Sequence, residues 1–165
     1  MNNPADLLLI QRHIFDSCGL EYSTPQKEAE SAEYDAYYFK VNGLAIRYRK
    51  AKITPTKIGQ FVTFWKREDD GPIQPYGIED RVDFLLVSVR KSKNFGVFVF
   101  SRAILLSQGI ISTEKKEGKR ALRVYPPWDI PTSQQALKTQ KWQQEYFWEV
   151  GEDKTEWDSV RKLFL

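Results

Sequence analysis

Between Ile46 and Arg67 the chain carries seven cations, Arg47, Arg49, Lys50, Lys52, Lys57, Lys66 and Arg67, interleaved with Tyr48, Phe61, Phe64 and Trp65. No carboxylate interrupts them, and the acid-free stretch runs over 32 residues from Ala36 to Arg67. Binding a polyanion requires neutralising cations, and sequence-tolerant contact with bases requires aromatic faces, so this composition suits a nucleic-acid surface. On a strand Arg47 and Arg49 point to one side and Tyr48 to the other, which permits a one-sided basic face. A second cationic group follows in Lys115, Lys116, Lys119, Arg120 and Arg123, and Lys138 with Lys141, three apart, are neighbours on a helix. The competing reading makes these cations a solvated surface and buries Phe61, Trp65 and Trp142 in the core.

A metal-dependent nuclease centre is the other chemistry to weigh. It needs two or three carboxylates to hold Mg2+ or Mn2+ at a phosphate and a lysine to assist the attacking water. Asp80 and Asp83 sit at the start of the apolar run 82–89, where a first acid would stand, with Glu79 beside them. The next strand, 96–100, reads Gly-Val-Phe-Val-Phe where an acid-x-Lys belongs, so a ligand and the lysine are both missing. Asp83 can equally be a structural acid paired with Arg81 or Arg123. His13 has no second histidine with which to build a metal site or triad, Cys18 has no evident base, and neither standard phosphate-loop spacing occurs. The expected reading is noncatalytic, without a cofactor.

Length and charge bound the rest. The 165 residues carry a net charge of +3, consistent with one domain over 1–165. That small sum conceals an uneven layout: residues 36–67 hold eight basic and no acidic side chains, and residues 81–127 hold ten and three. Acidic segments surround both, with seven acids in residues 1–35 and five in 68–80. One cysteine excludes a disulfide framework or a multi-cysteine zinc cluster. With no apolar run long enough to span a bilayer and no secretory leader, a cytoplasmic protein without a membrane partner is expected.

The elements that must position these side chains are read from periodicity. Asn3, Pro4 and Asp6 open a helix whose apolar positions are Leu7, Ile10, Ile14 and Phe15 and which Gly19 stops. Residues 21–34 form a loop with a short polar helix near Glu28 to Glu33. Tyr37 to Val41 and Leu44 to Tyr48 flank Asn42-Gly43, a hairpin signal, and residues 49–58 connect them to a third strand over Gln60 to Arg67. The runs 82–89 and 96–100 read as the buried centre of a sheet. Ser101 caps a short helix through Leu106, Ala121 to Tyr125 is the last strand, and Pro126, Pro127 and Pro131 exclude regular structure around Trp128-Asp129. A long helix from Thr132 or Ser133 to about Phe147 and a terminal helix capped by Thr155, with Trp157, Val160 and Phe164 on one side, complete an α/β fold with a mixed sheet flanked by helices.

The strings IRYRKAKITPTKIGQFVTFWKR (46–67), GPIQPYGIEDRVDFLLVSV (71–89), GVFVFSRAIL (96–105) and GKRALRVYPPWDIPTSQQALKTQKWQQEYF (118–147) resemble the MepB family, over residues 35 to 148. The resemblance implies a bacterial domain with a restriction-endonuclease-like core, related to the PD-(D/E)XK nucleases, that binds nucleic acid without established catalysis. It also implies an accessory role in multidrug-efflux regulation, since the founding member is encoded with an efflux pump and its repressor. Arg49, Lys52, Thr54, Lys57, Gln60, Trp65 and Lys66 match the family's first motif, and Arg123, Trp128 and Asp129 its second.

The expected phosphate-binding set is therefore Arg49, Lys52, Lys57, Lys66, Lys119, Arg120, Arg123, Lys138 and Lys141, with Thr54, Gln60 and Trp65 adding neutral contacts. The alternatives are a divergent metal-dependent nuclease using Asp80 or Asp83, and a protein-interaction accessory whose basic face meets an acidic protein.

Overall fold

The computed structural model describes residues 3–151 and 156–165, and the side chain of every residue in those ranges except Trp157. Helix α1 (Ala5–Ile10) continues into wider π-helical turns over Gln11–Asp16, and its first turn is entered through Pro4 without the side-chain cap expected from Asn3. The loop that follows contains β1 (Gln26–Lys27) and a single 3-10 turn, Ala32–Tyr34, in place of a polar helix. Then come β2 (Tyr37–Val41), β3 (Leu44–Lys50), β4 (Lys52–Ile53) and β5 (Gln60–Thr63). Asn42 and Gly43 both take positive φ, 48° and 80°, as the tight hairpin between β2 and β3 requires.

The third expected strand is two elements, because β5 ends at Thr63 and β6 (Lys66–Arg67) pairs separately with β7 (Ile73–Gln74). Strands β8 (Phe84–Lys91) and β9 (Asn94–Ser101) lead into α2 (Arg102–Ser107), whose cap Ser101 accepts from the Ile104 amide. After β10 (Ala121–Val124), helix α3 (Gln134–Gln143) stops one turn short of the expected end. Its continuation, β11 (Phe147–Glu149), adds to β9, since the aromatic residues Phe147 and Trp148 suit a pleated, half-buried edge. The terminal helix α4 (Trp157–Leu163) is present, while its expected cap Thr155 and the side chain of Trp157 lie outside the described residues.

One six-stranded mixed sheet organises the chain in the order β1-β2-β3-β8-β9-β11, in which β3 and β8 are parallel and the other pairs antiparallel. Strands β8 and β9 are apolar on both faces because both faces are covered. Phe84, Leu86, Val97 and Val99 pack with Leu7, Ile14, Phe15 and Phe164. Leu85, Val87, Phe98 and Phe100 pack on the other side with Val62, Phe64, Leu105 and Leu122. A smaller sheet, β10-β5-β4, lies over that second face, and the basic connection 54–59 and the start of α3 rise from it. The α/β class with a mixed sheet between helices is thus as expected.

Candidate nucleic-acid interface

The small sheet brings the two cationic segments together. Lys57, from the connection into β5, and Lys119 and Arg123, from β10 and its approach, line one depression of about 380 Å³. Its other wall is α3, through Ser133, Gln135 and Thr139. Adjoining depressions share Lys57, and one of them also shares Arg123 and Ser133, so they form a continuous groove. None of these three cations pairs with a carboxylate among the described residues.

Arg123 and Lys119 are each placed by a local cause. Arg123 pairs in register with Phe61, which puts its guanidinium 5.7 Å from that ring. Its Nη1 donates to Thr54 Oγ1 at 3.1 Å and to the Ile58 and Gly59 carbonyls at 3.3 Å, all neutral acceptors that fix the group without cancelling its charge. At the start of α3, Ser133 Oγ accepts from the Ala136 amide at 3.1 Å. The first amides of a ten-residue helix have no intrahelical partner and carry the positive end of its dipole, which adds to the field in the groove. Gln143 ties the two walls together, its Oε1 accepting from the Tyr125 amide and its Nε2 donating to the Arg123 carbonyl.

Lys119 is set by the turn before it. The Gly118 amide donates to Ser112 Oγ at 2.7 Å and the Lys119 amide to the Ile110 carbonyl at 2.9 Å. A Cβ at Gly118 would fall 2.3 Å from that carbonyl oxygen, and a backbone atom cannot simply rotate aside. Gly118→Ala is expected to lower stability by about 1–3 kcal/mol, as overpacking does. The urea midpoint measures it, and an unchanged midpoint would mean that the turn is free to open.

Other expected contacts lie elsewhere. Arg49 is fully buried, with Glu28 as its ion-pair partner, and therefore leaves the phosphate-binding set. Its alternation with Tyr48 is as expected, but on the face it shares with Arg47 both arginines pair with Glu28, and Arg49 packs against Phe64 of the second core. Gln60 is 1% exposed and donates to the Arg90 carbonyl, so it is a core residue too. Lys66 is enclosed by acids, 2.7 Å from Asp80 and 3.3 Å from Glu79. These neighbours raise its pKa against the opposing effect of burial. Trp65 lies beside Arg67, outside the groove. Lys52, over the Tyr34 ring, and Arg120, paired with Glu117, are exposed but line none of its depressions. On α3, Lys138 borders the groove-facing side and Lys141 lies about 60° further round the helix, away from it, and neither lines the depressions.

The two candidate metal ligands have structural tasks. Asp80 accepts from the Gly77 amide and pairs with Lys66. Asp83 accepts from the Ala45 amide at 2.7 Å and pairs with Arg81, one of the two partners considered for it, and not with Arg123. No group of three or more His, Cys, Asp or Glu is gathered for a metal among the described residues. Cys18 is buried, and burial pushes its thiol up, away from nucleophilic use.

Asp129 is the unexpected member of the site. Its side chain is 9% exposed and lines the far depression, with Lys91 at 3.7 Å. Burial raises its carboxyl above the ordinary value, more than Lys91 lowers it. With the folded pKa above the unfolded one, the native state binds the proton more tightly, so the ionised form costs stability at neutral pH. The cost disappears as pH falls below the ordinary carboxyl value. Asp129→Asn is expected to raise the thermal midpoint at pH 7 and to leave it unchanged near pH 3. A lower midpoint at pH 7 would show that the Lys91 pair outweighs burial.

Comparison with known proteins follows the same outline. A family model described as MepB-like matches residues 28–149. The crystal structure of MepB superposes with a TM-score of 0.78 at 34% sequence identity, covering 91% of this chain and 99% of that one. No protein in the curated set matches. No described helix is long and apolar enough to cross a membrane.

Proposed function

The chain belongs to the MepB-like family, and from that premise we propose that it is a noncatalytic nucleic-acid-binding protein whose phosphate site is the groove between the small sheet and α3. The observation that carries this reading is the convergence of Lys57, Lys119 and Arg123, from both cationic segments, on one concavity without a carboxylate partner among the described residues. A polyphosphate backbone supplies repeated charges at a spacing that a groove of cations and helix amides can follow. The wider proposal is an accessory to multidrug-efflux regulation acting through that nucleic acid.

Neither alternative has a comparable observation behind it. Asp80 and Asp83 are held by backbone amides and cations, and the Val97-Phe98-Val99-Phe100 run is core. An acidic protein partner would fit the charge but would not require a concave site. The test is fluorescence anisotropy with labelled DNA and RNA oligonucleotides across salt. Three phosphates neutralised on a single strand correspond to a slope of about −2 in log K against log salt. Affinity that ignores salt, or no binding to any oligonucleotide, overturns the proposal.

A further inference from the structure

We propose that the groove ends, beyond Lys57, in a pocket for one unpaired nucleobase, which makes single-stranded or base-exposed nucleic acid the preferred ligand; this rests on the nucleic-acid reading above. The pocket is a depression of about 380 Å³ that shares Lys57 with the phosphate groove. Its lining differs from the groove's in kind. Ile53, Ile58 and Ile130 are 56%, 41% and 80% exposed, and they stand with Trp128, Asp129 and Lys91 around one opening. Large aliphatic side chains gathered in the open mark a surface that something covers.

What covers it must have apolar faces and a hydrogen-bonding edge. Asp129 brings a nearly buried carboxylate, an acceptor for N–H groups. An apolar peptide side chain would leave the carboxylate still further from water, and a cationic one would meet Lys57 and Lys91. A nucleobase satisfies both demands, as its faces pack on the isoleucines and its amino group donates to Asp129. Its phosphates meanwhile remain on the Lys57 side.

The pocket is also built to hold its shape. The Asp129 amide donates to the Pro126 carbonyl at 3.0 Å, and Gln140 Nε2, from α3, donates to the carbonyls of both Pro126 and Asp129. With proline at 126, 127 and 131 the segment has few alternative conformations to lose on binding. The raised carboxyl of Asp129 fits a residue kept at a cost to stability.

Cytosine and adenine present an amino donor on their Watson–Crick edge, whereas thymine presents one N–H between two carbonyl oxygens that a carboxylate repels. Pairing hides that edge. Anisotropy with labelled 15-mers of dC, dA and dT, an abasic strand and a duplex tests the assignment at one salt concentration. The wild type is expected to bind dC and dA at least about fivefold tighter than dT, the abasic strand and the duplex. Asp129→Ala and Ile130→Ser should remove that preference without altering the salt slope; Ile130, being the most exposed of the three isoleucines, can change without disturbing the fold. Equal affinity for all five ligands, abolished by Lys57→Glu, overturns the base pocket and leaves the groove. No binding to any of them overturns the groove, and the pocket falls with it.

Discussion

Arg49→Ala is expected to destabilise the protein by about 3–5 kcal/mol, enough to remove a large part of the stability of a domain this size. The residue is 0% exposed, heading the largest fully buried groups. It forms an ion pair with Glu28, and it donates to the Tyr48 carbonyl at 2.9 Å and to the Thr63 carbonyl at 3.2 Å. The guanidinium also lies 5.5 Å from the Phe64 ring. Truncation would leave two carbonyls without their donor, open a cavity and remove one of the two arginines that balance Glu28. Arg47→Ala, at a side chain 27% exposed, should cost clearly less. Denaturant titration of both variants measures the order. A phosphate-binding Arg49 would show the reverse pattern, with a native midpoint and weakened binding, and that result would refute the buried role.

Lys57→Glu combined with Lys119→Glu is expected to weaken nucleic-acid binding by roughly 100-fold or more at moderate salt and to flatten its salt dependence. Both lysines are exposed and line the same depression without a carboxylate partner among the described residues, so reversal puts two negative charges where phosphates would sit. Because neither supports a neighbour by an ion pair, the double variant should keep its unfolding midpoint. Lys66→Glu offers the contrast. It places an acid against Asp80 and Glu79, so its effect belongs to stability while binding by the folded fraction persists. Binding by the Lys57/Lys119 variant that equals the wild type would place the phosphate site elsewhere.

Much of the architecture could be read from local pattern. Asn42-Gly43 announced the hairpin because few other pairs take two positive φ angles in succession. The apolar runs at 82–89 and 96–100 announced central strands because only residues covered on both faces lack alternation. Ser101 and Ser133 announced the helices they cap. The boundaries that failed are those at which a distant partner decides. Residues 147–149 leave the helical pattern because the edge of β9 is available to pair with them. Residues 66–67 leave β5 because β7 offers a second small sheet.

The distribution of charge along the chain, two cationic segments set among acidic ones, follows from residue order alone. It could say that a polyanion surface was affordable and that a nuclease centre lacked its acid-x-Lys. It could not say which cations are spent inside the protein, because an arginine buried by Glu28 and a lysine open to solvent are alike in a string. Glu28 lies 21 positions from Arg49, and Asp80 lies 14 from Lys66, so only folding makes them neighbours. With those pairs closed, Lys57, Lys119 and Arg123 are left facing one groove, since β10 and β5 run side by side and α3 walls them in. The physical reason is that side-chain type is local, whereas burial and pairing are properties of distance in three dimensions.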